Sequence, residues 1–364
     1  MTGIGRRELL RFGGAAILGG PALLTDRAEA APRPPGPGRE PVPLVKPVPA
    51  DVGMPDIDLP GAAPSGGYID LSGPATSLFQ KKRLTHGSVL QSFAFDEDNG
   101  YVYALQVVQG GVRLKGETRT YTHAQRVARG DLTLNRLTMS GRLKDRMFLK
   151  GFGHGGSLGV QERPGRAPLL WTEWDVNPAS GYGRGIARFT YAPNRVLRAG
   201  DRSLATFRPQ PGTTKNQPAI DTVAGRLLLR YRRRGVYRYA LYDLGDFGPR
   251  GAKPEPLADV AQPPLRKGAF YQGLALSGDY AYQLTGSPYG RGNPASGPGN
   301  ARLASIDLRT GTVLQEVRTT AGRNLSPREP EGLAVLRRGG DRLVAGFTSG
   351  KVNRRRFSLY AHGN

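Results

Sequence analysis

The chain is 364 residues long, has no cysteine, and holds 52 Lys and Arg against 29 Asp and Glu, a formal charge of +23. Without thiols there is no disulfide framework, thiolate metal site or lipid-modified cysteine. The charge points to a polyanionic partner: nucleic acid, acidic lipid or a phosphate-rich wall polymer.

The segment Gly5-Arg6-Arg7-Glu8-Leu9-Leu10-Arg11-Phe12 sets paired arginines before an apolar run that ends at Leu24, and Ala28-Glu29-Ala30 supplies a small-x-small cleavage site. The run is too short to span a bilayer, so residues 1–30 are expected to be a signal peptide of the twin-arginine type. The expected partners therefore include the twin-arginine export machinery, and the mature chain is expected to have no transmembrane segment. The signal holds four arginines and three acids, so its removal leaves +22. Export makes nucleic acid the weakest of the three polyanions, and the expected location is extracellular or in the cell wall. Residues 31–67 are crowded with proline, as in Pro32-Arg33-Pro34-Pro35-Gly36-Pro37, which favours an extended spacer that cannot bury a core.

The folded part is expected to be one all-β domain over residues 68–364. Short apolar runs alternate with turns such as Asn99-Gly100, Ala224-Gly225, Ser277-Gly278-Asp279 and Gly339-Gly340, the pattern of successive hairpins. Residues 96–100 crowd acidic side chains as calcium loops do, yet lack the ligand spacing, and read as a hairpin turn. A polar residue heads five of the apolar runs: Gln91, His154, Gln217, Gln272 and Glu331, at steps of 63, 63, 55 and 59 residues. Five units of this size predict a five-bladed β-propeller. Residues 68–79 are expected to close the first unit, because a ring must leave no open strand edge.

In such a ring the five polar residues gather at one mouth of the central channel. They could face a sugar or phosphate, or they could satisfy one another in a narrow channel. Dense basic runs add a second feature: Arg230-Tyr231-Arg232-Arg233-Arg234 with Tyr237, Lys81-Lys82-Arg83, Arg337-Arg338 and Arg354-Arg355-Arg356. Arginine forks suit phosphate and carboxylate oxygens, and tyrosines between them can stack on sugar faces. The candidate ligand-binding residues are Gln91, His154, Gln217, Gln272, Glu331, Arg230, Arg232 and Tyr237.

The inner-strand heads, the Gly-x-Gly-His-Gly segment at 151–155 and Asn216-Gln217 carry a resemblance. The chain resembles the β-propeller shared by phage receptor-binding proteins and the teichoic acid biosynthesis protein C group, from about Tyr68 onward. That resemblance implies a five-bladed propeller associated with cell-wall glycopolymers. It departs from the phage proteins in showing only a signal, a linker and a propeller, which argues against a tail-fibre role.

The sequence also bears on catalysis. Gly155-Gly156-Ser157-Leu158-Gly159 matches a nucleophile elbow, but that motif requires a strand-turn-helix setting, and the repeat puts Ser157 in a strand. No metal-ligand pair or phosphate-cradling loop is present in the sequence, so no metal or cofactor is expected. A secreted glycoside hydrolase or polysaccharide lyase remains the alternative to a binder of anionic glycopolymer or polysaccharide. Its candidate catalytic residues are His154, Glu173 and Glu331, with Asp175 less favoured.

Overall fold

The structure is a computed structural model describing residues 67–248 and 253–363. The signal peptide and nearly all of the proline-rich linker lie outside the described residues.

Five antiparallel sheets form the blades of a ring. From the axis outward, blade 1 runs Leu90–Asp96, Tyr101–Val107, Leu132–Thr138 and Leu143–Lys150, with Val196–Arg198 added in parallel at its edge. Blade 2 comprises Leu158–Gln161, Leu169–Asn177, Tyr182–Thr190 and Ala205–Phe207, and blade 3 Thr214–Asp221, Arg226–Arg233, Val236–Asp243 and Ala258–Ala261. Blade 4 comprises Phe270–Ser277, Tyr280–Gly286, Arg302–Asp307 and Val313–Arg318. In blade 5, Glu329–Leu336, Arg342–Ser349 and Arg356–His362 are completed by the N-terminal strand Thr76–Lys82. The closing strand therefore belongs to the last blade and not, as expected, to the first. This arrangement ties the two ends of the propeller into one sheet.

Each blade is packed between two others, so both of its faces are buried and its strands read as near-continuous apolar runs rather than alternating ones. Leu227 and Leu229 point to blade 2 beside Trp171 and Ile186, while Leu228 between them points to blade 4 beside Leu274 and Leu276. Five hydrophobic clusters result, one at each junction between blades.

All innermost strands run in the same direction along the axis. The face where they start is called upper here and the face where they end lower. At the lower face, carboxylates sew the blades together. Glu97 accepts from the backbone of Arg337 and Arg338, Glu162 from that of Glu97, and Asp221 from that of Gly278. Arg337 also pairs with Asp221 at 2.6 Å. A cavity of about 60 Å³ lies between this end and the axis, walled mainly by Ala94, Val160, Ile220, Ala275 and Ala334.

The longest connector between blade strands among the described residues, 108–131, lies at the upper face and includes the short helix His123–Ala128. Sequence periodicity did not indicate that helix. Arg126, fully buried, pairs with Glu117 at 2.6 Å and Asp131 at 2.8 Å, and Lys150 also pairs with Glu117.

Candidate functional site

The heads of the innermost strands sit at irregularities of pairing. In four blades the register between the first two strands shifts there: around Gln91, between Thr214 and Gln217, around Gln272, and between Pro330 and Leu333. A bulge bends the strand and re-aims its side chains. Blade 2 differs. Its innermost strand starts only at Leu158, so His154 lies in the connector before it and does not head the strand. Ser157 likewise precedes the strand and lies in no strand-turn-helix elbow.

Glu173 explains the glycines of that connector. Fully buried, its carboxylate accepts from the backbone N–H groups of Gly183 at 2.8 Å, Gly156 at 3.1 Å and His154 at 3.4 Å. A Cβ on Gly153 would stand 2.6 Å from Glu173 Oε2, and one on Gly156 would stand 2.1 Å from Gln217 Nε2. Burial raises the pKa of Glu173, against the backbone hydrogen bonds and the charge of Lys215. Glu173 is thus an anchor for the mouth.

The five polar residues do reach the upper end, but no hydrogen bond among the described residues joins one to another. Gln91 and Gln272 donate to backbone carbonyls, at Leu90 and Gly286. Gln217, 3 % exposed, accepts from Arg230 at 2.7 Å. His154 packs against Tyr182 with ring centroids 4.7 Å apart, and its Nδ1 is buried without a partner. Burial, with the charges of Lys215 and His123, holds its pKa down at about 4, so the ring is neutral at physiological pH. Glu331 is 7 % exposed, and its pKa is pushed well above the ordinary carboxylate range by burial and by neighbouring Glu329, against the pull of Arg355.

Around this mouth stands a group that the sequence pattern did not single out. Lys215 adopts φ 59° at the blade 3 irregularity, a left-handed conformation that is strained for a side-chain-bearing residue. Its ammonium lies 4.1 Å from the centroid of Tyr182 and 5.5 Å from that of Tyr237, within cation–π reach of both. Arg230 is buried. It covers Tyr237 at 4.1 Å and Tyr271 at 3.6 Å and donates to Gln262, so it organises the mouth from beneath. Burial opposes ionisation of Tyr237, but the Lys215 hydrogen bond and the charges of Lys215, Arg230 and Arg232 outweigh it and lower the pKa of the hydroxyl. A lowered phenol pKa reports a strongly positive local field.

That field extends over the whole upper face. Its connectors are residues 83–89, 108–131, 151–157, 178–181, 208–213, 234–235, 262–269, 287–301, 319–328 and 350–355. Together they hold sixteen Lys and Arg against two Asp and Glu. The two acids are Glu117 and Asp131, both consumed in the Arg126 network. The lower-face connectors 97–100, 139–142, 162–168, 222–225, 244–248, 253–257, 278–279, 308–312 and 337–341 hold seven of each sign, and residues 191–204, which run along the outer edge of blade 1, belong to neither set and add three cations and one acid. Of the four basic runs, three reach the upper end, and Arg337 of the fourth is paired with Asp221 and Asp341 below.

Among the described residues, no group of His, Cys, Asp and Glu could hold a metal ion, and no helix is long and apolar enough to cross a membrane.

Comparison with known proteins agrees with this geometry. A Bacillus subtilis (strain 168) protein bearing the name major teichoic acid biosynthesis protein C is 26% identical over 306 residues, covering 80% of this chain and 63% of its own length. The tail fiber of Staphylococcus aureus phage P68 superposes with a TM-score of 0.57 at 18% identity, over 79% of this chain and 52% of the fiber. The chain therefore spans less than two thirds of either relative. The family described as the phage 5-bladed beta propeller receptor binding platform domain matches residues 89–361. The chain belongs to that family.

Proposed function

We propose that this chain is an exported, wall-associated propeller whose upper face binds an anionic glycopolymer such as a teichoic acid. The observation that carries the reading is the charge division: sixteen cations against two spent acids above, and balance below. A polyanion is drawn to such a face by a summed field that no single residue supplies. Half-buried Tyr237 beside Lys215 adds an aromatic edge for a sugar, and the family is described as a receptor binding platform. A paired-carboxylate glycosidase needs two acids free to flank the scissile bond. Glu173 spends its oxygens on backbone N–H groups, and Asp175 is bound by Arg184 and Arg208. Binding is therefore the reading the mouth supports best.

The test is a binding isotherm on purified wall teichoic acid at several salt concentrations. Each phosphate neutralised contributes a slope of roughly −0.7 to −0.9 in log affinity against log salt, by analogy with nucleic acids. A slope of about −2 or steeper is expected. An affinity that does not change with salt would contradict electrostatic binding.

A further inference from the structure

Between blades 2 and 3 the upper face opens into a cleft of about 420 Å³, lined by Asn177, Arg184, Arg208, Thr214, Arg232 and Arg234 among others. That volume is in the range of small-ligand sites. Its arginines come from both walls. On one side Arg184 pairs with Asp175 Oδ1 at 2.7 Å, and Arg208 pairs with the other oxygen while lying 4.9 Å from the Trp174 ring centroid. Asp175 adopts φ 62°, a strained backbone state held where one carboxylate orients two guanidiniums.

On the opposite wall Arg232 and Arg234 are exposed, and neither has a carboxylate partner among the described residues. Arg232 donates its Nε to the Gly235 carbonyl. Four guanidiniums against one carboxylate leave the cleft at +3. Thr214, half-buried, lines the cleft between the two arginine walls.

We propose that this cleft is the site for a phosphodiester-linked polyol or sugar unit, with Arg232 and Arg234 taking the phosphate from one wall and Arg184 and Arg208 from the other. The proposal rests on the upper face being the polyanion-binding face and adds the place and the chemistry. A phosphodiester presents divergent tetrahedral oxygens, which guanidiniums on facing walls can each engage. A planar uronate carboxylate is already filled by a single arginine fork. Lys215 follows Thr214 toward the channel mouth, so a chain leaving the cleft inward meets the Lys215 ammonium and half-buried Tyr237.

The experiment uses the full chain and two probes of equal charge, a synthetic glycerol phosphate hexamer and hexagalacturonate, at one ionic strength. The double variant R232A/R234A is compared with R166A/R338A, which removes two exposed arginines from the lower face. Unchanged melting temperatures establish that both fold. The expected result is at least tenfold tighter binding of the phosphate hexamer than of the uronate. A loss of tenfold or more is expected in R232A/R234A, and of no more than twofold in R166A/R338A. Equal losses in the two variants would overturn the cleft assignment while leaving a binding face intact. Equal affinity for both probes would overturn the phosphodiester class. Failure of the wild-type chain to bind either probe would overturn the polyanion reading and the cleft proposal with it.

Discussion

Replacing Glu173 with alanine is expected to lower the unfolding free energy by about 3–5 kcal/mol, the range for removing one member of a fully buried polar network. Three backbone donors, from His154, Gly156 and Gly183, lose their acceptor inside the protein, where each unsatisfied group costs about 1–3 kcal/mol. The loss also releases the connector that holds His154 against Tyr182 and Gly156 against Gln217. Glu173→Gln keeps an acceptor oxygen and the shape, and is expected to cost less than half as much. Urea unfolding of both variants decides the matter. A change under 1 kcal/mol in Glu173→Ala would mean that the carboxylate is no anchor and would restore it as a catalytic candidate.

Affinity for wall polymer is expected to fall as pH rises through the raised pKa of Glu331, because the buried carboxyl stays neutral in the folded protein below it. Burial and Glu329 make Glu331 hold its proton in the folded protein well above the unfolded value. Raising the pH past that value puts a negative charge at a mouth meant for an anion. For a ligand charge roughly 7 Å away and an effective dielectric of about 20 to 80, Coulomb's law gives a penalty of roughly 0.6–2.4 kcal/mol, or threefold to fiftyfold. Stability has the same sign, because the folded state binds the extra proton: it falls as pH rises above the ordinary glutamate value toward the raised one. His154 takes no part, since it remains neutral down to about pH 4. Glu331→Gln is expected to bind with little pH dependence in this range. A wild-type affinity that rises with pH would contradict the assignment.

Much of the ring was legible because tight turns and apolar runs recur in every blade, and packing on both faces writes itself as uninterrupted apolar strands such as Leu227-Leu228-Leu229. The closing strand was assigned to the wrong blade for a physical reason. Thr76–Lys82 lies at a sheet edge with one buried residue, Phe79, so its sequence has little to align. His154 was placed at a strand head because its glycine-rich connector occupies the interval where the other blades already have strand. The basic runs and the polar heads were visible as residues, but their division between two faces depends on strand direction. Lys215, Arg184 and Arg208 escaped notice for a similar reason. They come from three separate segments of blades 2 and 3, and only the irregular pairing near Asn216 and the Asp175 ion pairs bring them into one site.

The most direct test of the upper face as the binding surface is hydrogen–deuterium exchange of the full chain with and without purified wall teichoic acid. Slowed exchange is expected in residues 208–216 and 232–237, with no change in the lower hairpins 97–100, 162–168 and 337–341. Protection confined to those lower hairpins or to the outer strands would contradict it.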